Sequence, residues 1–345
     1  MSVVIRRFRG MSSADSSGPP PPVSQPHDSL FKLVLGKPEH AASELRSVLP
    51  TELAARLDLD RLIRVDGSFV DPNLRQQHTD VLFRTRLDGH EAFVYVLIEH
   101  QSRPDPWMAL RMLAYLVRIW ERHLQRHRPA GRLPVIVPLV VYQGRERWRA
   151  PTDFMELFTI DEHTASMVPR FSYLLDDLTR VEPAELRSRG LKPAVVLMFL
   201  LLKEAPDHEH LGSVLVGWWD SLLDLMREPD RVEILSALLS YIHTVSSTPP
   251  AELTTLIARL GPEAEEVAMT TADMLRAEGE ARGEARGEAR GEARGEANHF
   301  LKLLTLKFGP LPEDVQARIR AATTGQIDIW TERFLHATSL NQILG

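Results

Sequence analysis

Two acids sit at the ends of runs that favour buried β-strand: Asp80 in Thr79-Asp80-Val81-Leu82-Phe83, and Glu99 in Ile98-Glu99-His100-Gln101-Ser102. Carboxylates from neighbouring strand ends, brought onto one sheet face, supply the hard oxygen donors that a divalent cation takes. Metal-assisted hydrolysis of a phosphodiester is the chemistry such a pair could perform. An isolated Asp and Glu are more often solvated strand-end charges. Gln101, on the same alternation as Glu99, adds a third polar group and tips the reading toward a site.

The register that would join them can be derived. Val81 to Leu87 mixes β-branched, aromatic and leucine positions, and Asp88-Gly89 is a favoured two-residue hairpin turn. Ala92 to Ile98 is almost continuously apolar, as a central strand covered on both faces requires. If Leu87 pairs with His90, Asp80 falls opposite Leu97. Alternation then puts Leu97, Glu99 and Gln101 on the face of Asp80, with Asp80 and Glu99 as diagonal neighbours. A bulge at the turn would flip this register.

More of the chain carries a recognisable pattern. In order come His27-Asp28-Ser29-Leu30-Phe31-Lys32, Leu49-Pro50, Gly67-Ser68-Phe69, Asp71 and Leu74-Arg75-Gln76. Asp80 and Leu97-Ile98-Glu99-His100-Gln101-Ser102 follow, then Arg111, Tyr115, Leu133-Pro134, Pro138 and Tyr142-Gln143-Gly144. From His27 to Gly144 the chain resembles the recombination-promoting nuclease (transposase-like) family, itself similar to PD-(D/E)XK nucleases. The resemblance implies catalytic roles for Asp80, Glu99 and Gln101, with Gln101 standing where the wider superfamily usually has Lys. A Lys can stabilise charge on hydroxide or phosphorane, whereas Gln can only orient a water. One or two Mg²⁺, or another divalent cation, would be held by Asp80 and Glu99 with the His100 carbonyl as a third oxygen. Asp28 is either a helix-borne acid supporting the site or an N-cap for the helix containing Phe31. The implied activity is metal-dependent DNA endonuclease, of low sequence specificity and promoting recombination. The alternatives are a weak or inactive relative acting as a DNA- or protein-binding module, and a chain whose C-terminal half is the active part.

Composition sets limits. The chain has 345 residues, 43% hydrophobic and 26% charged, which suits an ordinary multi-domain soluble protein. The absence of cysteine excludes disulfides, thiolate metal sites and a cysteine nucleophile, and fits a cytoplasmic setting. A formal charge of −6 argues against non-specific coating of nucleic acid. Local charge differs: from Arg103 to Arg149 ten Arg face three acids. Helical spacing over Trp107 to His127 puts Met112, Leu113, Leu116, Trp120 and Leu124 on one face and Arg111, Arg118, Arg122 and Arg126 opposite. Such a face is usually just solvated; beside a nuclease site, Lys32, Arg75, Arg111, Arg118 and Arg122 become DNA-contact candidates. His123 and His127 lack the acid of a His-Glu-x-x-His zinc motif.

The expected architecture is α/β: a restriction-endonuclease-like α-β-β-β-α-β core on a mixed sheet, followed by an all-helical C-terminal half. Its strands are Leu62 to Val70, Val81 to Leu87, Ala92 to Ile98 and Val135 to Tyr142. Residues 1–26, Arg- and Pro-rich, read as a disordered arm without a signal peptide. The nuclease domain is set at 27–165, a helical extension at 166–262, a repeat-containing linker at 263–298 and a small helical domain at 299–345. Ala194 to Leu202 is apolar but far too short to span a bilayer, so it reads as a buried helix. Asp207-His208-Glu209-His210 reads as loop polarity. Gly279 to Arg294 is four copies of Gly-Glu-Ala-Arg, which puts like charges at i,i+4 and a glycine in each turn. An exposed helix of marginal stability, serving as a spacer, is expected there. Phe300 to Phe308 forms a separate short helix stopped at Gly309, and the C-terminal helices are expected to self-associate or bind a protein partner.

Overall fold

The computed structural model describes residues 26–65, 79–99, 103–127, 131–161, 163–206 and 208–345. Three helices open the chain: α1 (Pro26–Val34), α2 (Pro38–Val48) and α3 (Thr51–Arg56). A five-stranded sheet follows in spatial order β1 (Ile63–Arg64), β2 (Thr79–Leu87), β3 (His90–Glu99), β4 (Val135–Tyr142) and β5 (Leu174–Asp177). β1, β2 and β3 are antiparallel, while β4 and β5 continue in parallel, so the sheet is mixed as expected. Parallel neighbours need a crossover, and α4 (Met108–Arg126) supplies it between β3 and β4.

Two apolar layers follow from strand alternation. Val81, Phe83, Val94, Val96, Leu139 and Val141 face one way and join the core containing Leu30 and Phe31 of α1 and Leu45 of α2. Leu82, Phe93, Tyr95, Leu97, Val140 and Tyr142 face the other way, against Met108, Met112, Tyr115, Leu116 and Ile119 of α4. The helices α5 (Pro183–Ser188), α6 (Pro193–Glu204), α7 (Leu211–Val216), α8 (Trp219–Leu225), α9 (Arg231–Val245) and α10 (Pro250–Leu260) build on the first layer. The Ala194 to Leu202 run of α6 is wholly buried there. Among the described residues no helix is long and apolar enough to cross a membrane.

Three expectations need correction. β1 is only two residues long, and the rest of the strand expected over Leu62 to Val70 lies largely outside the described residues. β5 interrupts the region expected to be all helical; a four-residue Leu-Leu-Asp-Asp edge strand is too short to show a period-2 pattern. The repeat is not set apart from a short helix at Phe300, because α11 (Pro262–Phe308) runs unbroken for 47 residues.

The chain divides into two compact units, residues up to Ala268 and Met269–Gly345. The second has its own small core, in which Phe300 and Leu304 of α11 meet Ile319 of α12 (Glu313–Arg320), Ile327 and Trp330 of α13 (Thr324–Phe334) and Ile343 of α14 (Leu340–Leu344). Gly309 ends α11 at φ +82°, donating its N–H to the Thr305 carbonyl at 2.9 Å, the left-handed stop its position suggested.

Candidate active site

The hairpin turn fixes the site. Asp88 and Gly89 both adopt positive φ, +50° and +81°, the pair of values a type I′ turn requires. No bulge intervenes: Leu87 pairs with His90 and Asp80 with Leu97, as derived from the sequence. Asp80 therefore shares the α4-covered face with Leu97, Tyr95 and Glu99.

The carboxylates are held by a connected set of side chains. Asp80 is half-buried and accepts a hydrogen bond from the Tyr95 hydroxyl at 3.0 Å. Tyr95 packs its ring 5.6 Å from that of Tyr115, on α4. Glu99 is fully buried, and Nη1 of Arg111 lies 3.3 Å from its Oε2. The same Nη1 donates to Asp105 Oδ2 at 2.6 Å. Asp105 in turn starts α4, accepting from the Trp107 N–H through Oδ1 at 2.8 Å and from the Met108 N–H through its carbonyl at 3.1 Å. On the other side, the Gln143 N–H donates to the Glu99 carbonyl at 2.9 Å, tying the strand end to the segment after β4.

Electrostatics match this arrangement. Burial, then the charge of Asp80, pushes the Tyr95 hydroxyl well above its ordinary range, so it stays a donor. Burial opposes the Arg111 charge, but the hydrogen bond to Asp105, Tyr115 and the charge of Glu99 outweigh it and raise its pKa. Tyr142, paired with Glu99 across β3 and β4, is pushed up to about 12 by burial and then by the charges of Asp177, Glu99 and Glu146. A carboxylate as buried as Glu99 costs several kcal/mol unless compensated, and Arg111 supplies part of that compensation.

The sequence-derived residues fare differently. Asp80 and Glu99 come to the same face. Gln101, the His100 carbonyl and Arg75 lie outside the described residues. Asp28 lies within the first turn of α1 and does not precede it as an N-cap; one carboxylate oxygen is buried. Lys32 is exposed in the last turn of α1, the helix whose apolar residues pack on the opposite sheet layer.

Arg111 is corrected most. It does not belong to a solvent face opposite the apolar stripe; it is 20% exposed and turned inward onto Glu99 and Asp105. The buried stripe of α4 is Met108, Met112, Tyr115, Leu116, Ile119 and His123, so Arg111, Arg118 and Arg122 flank it and Leu124 faces outward at 40% exposure. The rotation arises because the small Ala109 and the amphipathic Tyr115 and His123 enter the core, which a count of large aliphatics overlooks. Asp105 and Tyr95 were missed, and Tyr115 stood only within the family pattern, without a role. Tyr95 was open to inference, since it lies two positions before Leu97 on the alternation used for Glu99.

The donor chemistry suits a hard divalent cation: carboxylate oxygens on one strand-end face, with no thiolate or imidazole among the groups just described. A different cluster, Glu39, His40 and Asp230, brings three donor atoms within 4.8 Å of one another. There the Lys37 ammonium sits 2.7 Å from Asp230, and His40 Nδ1 lies 3.0 Å from the Val34 carbonyl. In the polar loop, Asp207 lies outside the described residues, while Glu209 and His210 are exposed.

Comparison with known proteins adds an independent line. Residues 25–233 match a family model described as "Putative transposase, YhgA-like". The chain is 32% identical over 221 residues to recombination-promoting nuclease RpnD of Escherichia coli O157:H7, covering 64% of this chain and 81% of that protein. It is 31% identical over 261 residues to recombination-promoting nuclease RpnA of Escherichia coli K12, covering 74% and 85%. It is also 29% identical over 259 residues to the K12 protein named inactive recombination-promoting nuclease-like protein RpnE, covering 74% and 83%. No solved structure matches.

Proposed function

Because this chain belongs to the YhgA-like family of recombination-promoting nucleases, we propose that it is a metal-dependent DNA endonuclease, of low sequence specificity, that promotes recombination. The observation carrying this reading is the placement of Asp80 and Glu99 on one sheet face beside the Arg111–Asp105 pair. The sheet and its crossover helix fit a restriction-endonuclease-like core.

Asp80 and Glu99 would hold Mg²⁺ or a similar ion, whose charge would offset that of the phosphate and acidify an attacking water. The remaining work falls to the chain's own groups. Tyr95 fixes the orientation of the Asp80 carboxylate. Arg111 lies against the buried Glu99 carboxylate and places a permanent positive charge beside the path of the phosphate. Asp105 aims that guanidinium. Gln101 would orient the water, and Asp28 would support the site from α1. DNA is the proposed substrate.

Incubation of the purified protein with supercoiled plasmid and Mg²⁺ tests the proposal. Nicking by the wild type is expected, with Asp80→Ala and Glu99→Ala each slower by on the order of 10²–10³-fold. Equal nicking by all three would sink the assignment. The inactive relative RpnE motivates a second reading, a nuclease-fold module that binds DNA or protein without cutting. Wild-type binding with no cleavage in Mg²⁺ or Mn²⁺ would select it.

A further inference from the structure

A second concave site lies on the α4-covered side of the sheet, a cleft of about 240 Å³ between β1, β2, β3 and the last turns of α4. Its lining includes Arg84, Arg122 and Arg126, with the imidazoles of His123 and His127; Arg64 also borders it through β1, but its guanidinium lies beside Gly36, between α1 and α2. A single carboxylate, Glu91, also lines it, with Oε2 3.6 Å from Nδ1 of His123. Leu82 and Phe93, from the same apolar layer as Tyr95 and Leu97, contribute to the lining.

Helix-end chemistry explains only part of this. Cations near the C-terminus of α4 complement its dipole, and His127 Nδ1 lies 3.1 Å from the His123 carbonyl. Arg84 comes from a strand, however, and gains nothing from that dipole. Burial, and then the charge of Arg126, lowers the pKa of Arg122, so cations crowd one another on the helix wall. Guanidinium groups gathered along one wall are the electrostatic footprint of a backbone phosphate.

Position names the anion. Arg84 lies four residues along β2 from Asp80, about 13 Å at the rise of a strand. Arg122 lies eleven residues along α4 from Arg111, about 16 Å at the rise of a helix. Both paths run along the same side of the sheet. At roughly 3.4 Å of axial rise per nucleotide, the cleft lies about four nucleotides from the scissile position.

We propose that this cleft is a second phosphate site, which takes a non-scissile backbone phosphate of the bound DNA strand and sets its path across the sheet. The proposal rests on the nuclease reading for its ligand. Arg84, which the sequence did not single out, carries the site with Arg122 and Arg126 of the arginine face.

The test uses the full chain bearing Asp80→Ala, with a fluorescein-labelled duplex followed by anisotropy over a salt series. Adding Arg84→Gln, Arg122→Gln and Arg126→Gln together should weaken binding at least tenfold and reduce the slope of log K against log salt by about two to three. Replacing the same three residues by Lys should restore most of the slope. Thermal melts check that each variant folds. Unchanged affinity and slope in a folded Gln variant would overturn the proposal. Saturable binding of pyrophosphate in the cleft, with DNA affinity indifferent to the substitutions, would overturn it in favour of a free-phosphate site. Plasmid cutting by the wild type is scored in parallel: its absence rejects the nuclease reading, while the salt slope still decides the phosphate site.

Discussion

Arginine and glutamate do different work in two regions of this chain. Around the sheet, Arg111 is mostly buried and held by carboxylates six and twelve residues away in sequence. Along the repeat of α11 the same residue types face solvent, as in the Arg282–Glu278 pair at 2.6 Å, where each side chain is about half exposed. Both are short ion pairs by distance. Dielectric and competition with water separate them: the exposed pair is worth a few tenths of a kcal/mol, whereas breaking a buried one strands a charge.

The sharpest way to break this contrast is to remove each cation. Arg111→Ala should cost about 3–5 kcal/mol in urea unfolding, since it removes the guanidinium that lies against the buried Glu99 and against Asp105. Arg111→Lys should recover part of that loss. A cost below about 1 kcal/mol for Arg111→Ala would show that water reaches Glu99 and that the two regions are alike.

Next in size is a pH effect from a second buried network, where Arg189 grips Asp176 through two hydrogen bonds of 2.9 and 3.0 Å and Glu44 lies against them. Burial, then the charge of Asp176, raises the Glu44 carboxyl well above its ordinary range. A pKa raised by folding means that the protonated form is favoured in the native state. Its contribution is therefore complete below the unfolded value, about 4.3, and is lost as pH rises through the folded value. Melting temperatures of Glu44→Gln should pull ahead of wild type progressively as pH rises above the unfolded carboxylate value of about 4.3. Parallel curves would contradict the assigned direction.

Smaller effects belong to the repeat. A methyl group at Gly283, Gly287 or Gly291 would meet no heavy atom within 4 Å. Each Gly→Ala change should stabilise α11 by about 1 kcal/mol, visible as slower amide exchange around the site. Last comes Arg282→Gln, expected to change stability by less than about 0.5 kcal/mol and to leave helical circular dichroism intact. A larger loss would mean that the repeat is buried against something in solution.

Legibility followed the range of the forces involved. The hairpin register was readable because Asp88-Gly89 dictates a two-residue turn, and the turn dictates every pair back to Asp80 and Leu97. The buried α6 was readable because Ala194 to Leu202 has no polar face to expose. β5 was not, since four residues carry too little pattern and gain their place from pairing with β4. The rotation of α4 was also misread: helical periodicity finds a face, but Tyr115, His123 and the arginine stems are amphipathic and can join either side.

By itself the sequence determined which carboxylates could meet, because strand alternation and turn geometry are local and nearly rigid. It also determined that the repeat of α11 would be an exposed helix, because every turn there carries charge and glycine. Tertiary structure alone decided that Arg111 turns inward, that Asp105 joins the carboxylate cluster, and that Arg84 meets Arg122 and Arg126 across a cleft. Those outcomes depend on how a helix rolls against a sheet. That roll is set by the summed packing and desolvation of side chains far apart in the chain, a balance no local pattern encodes.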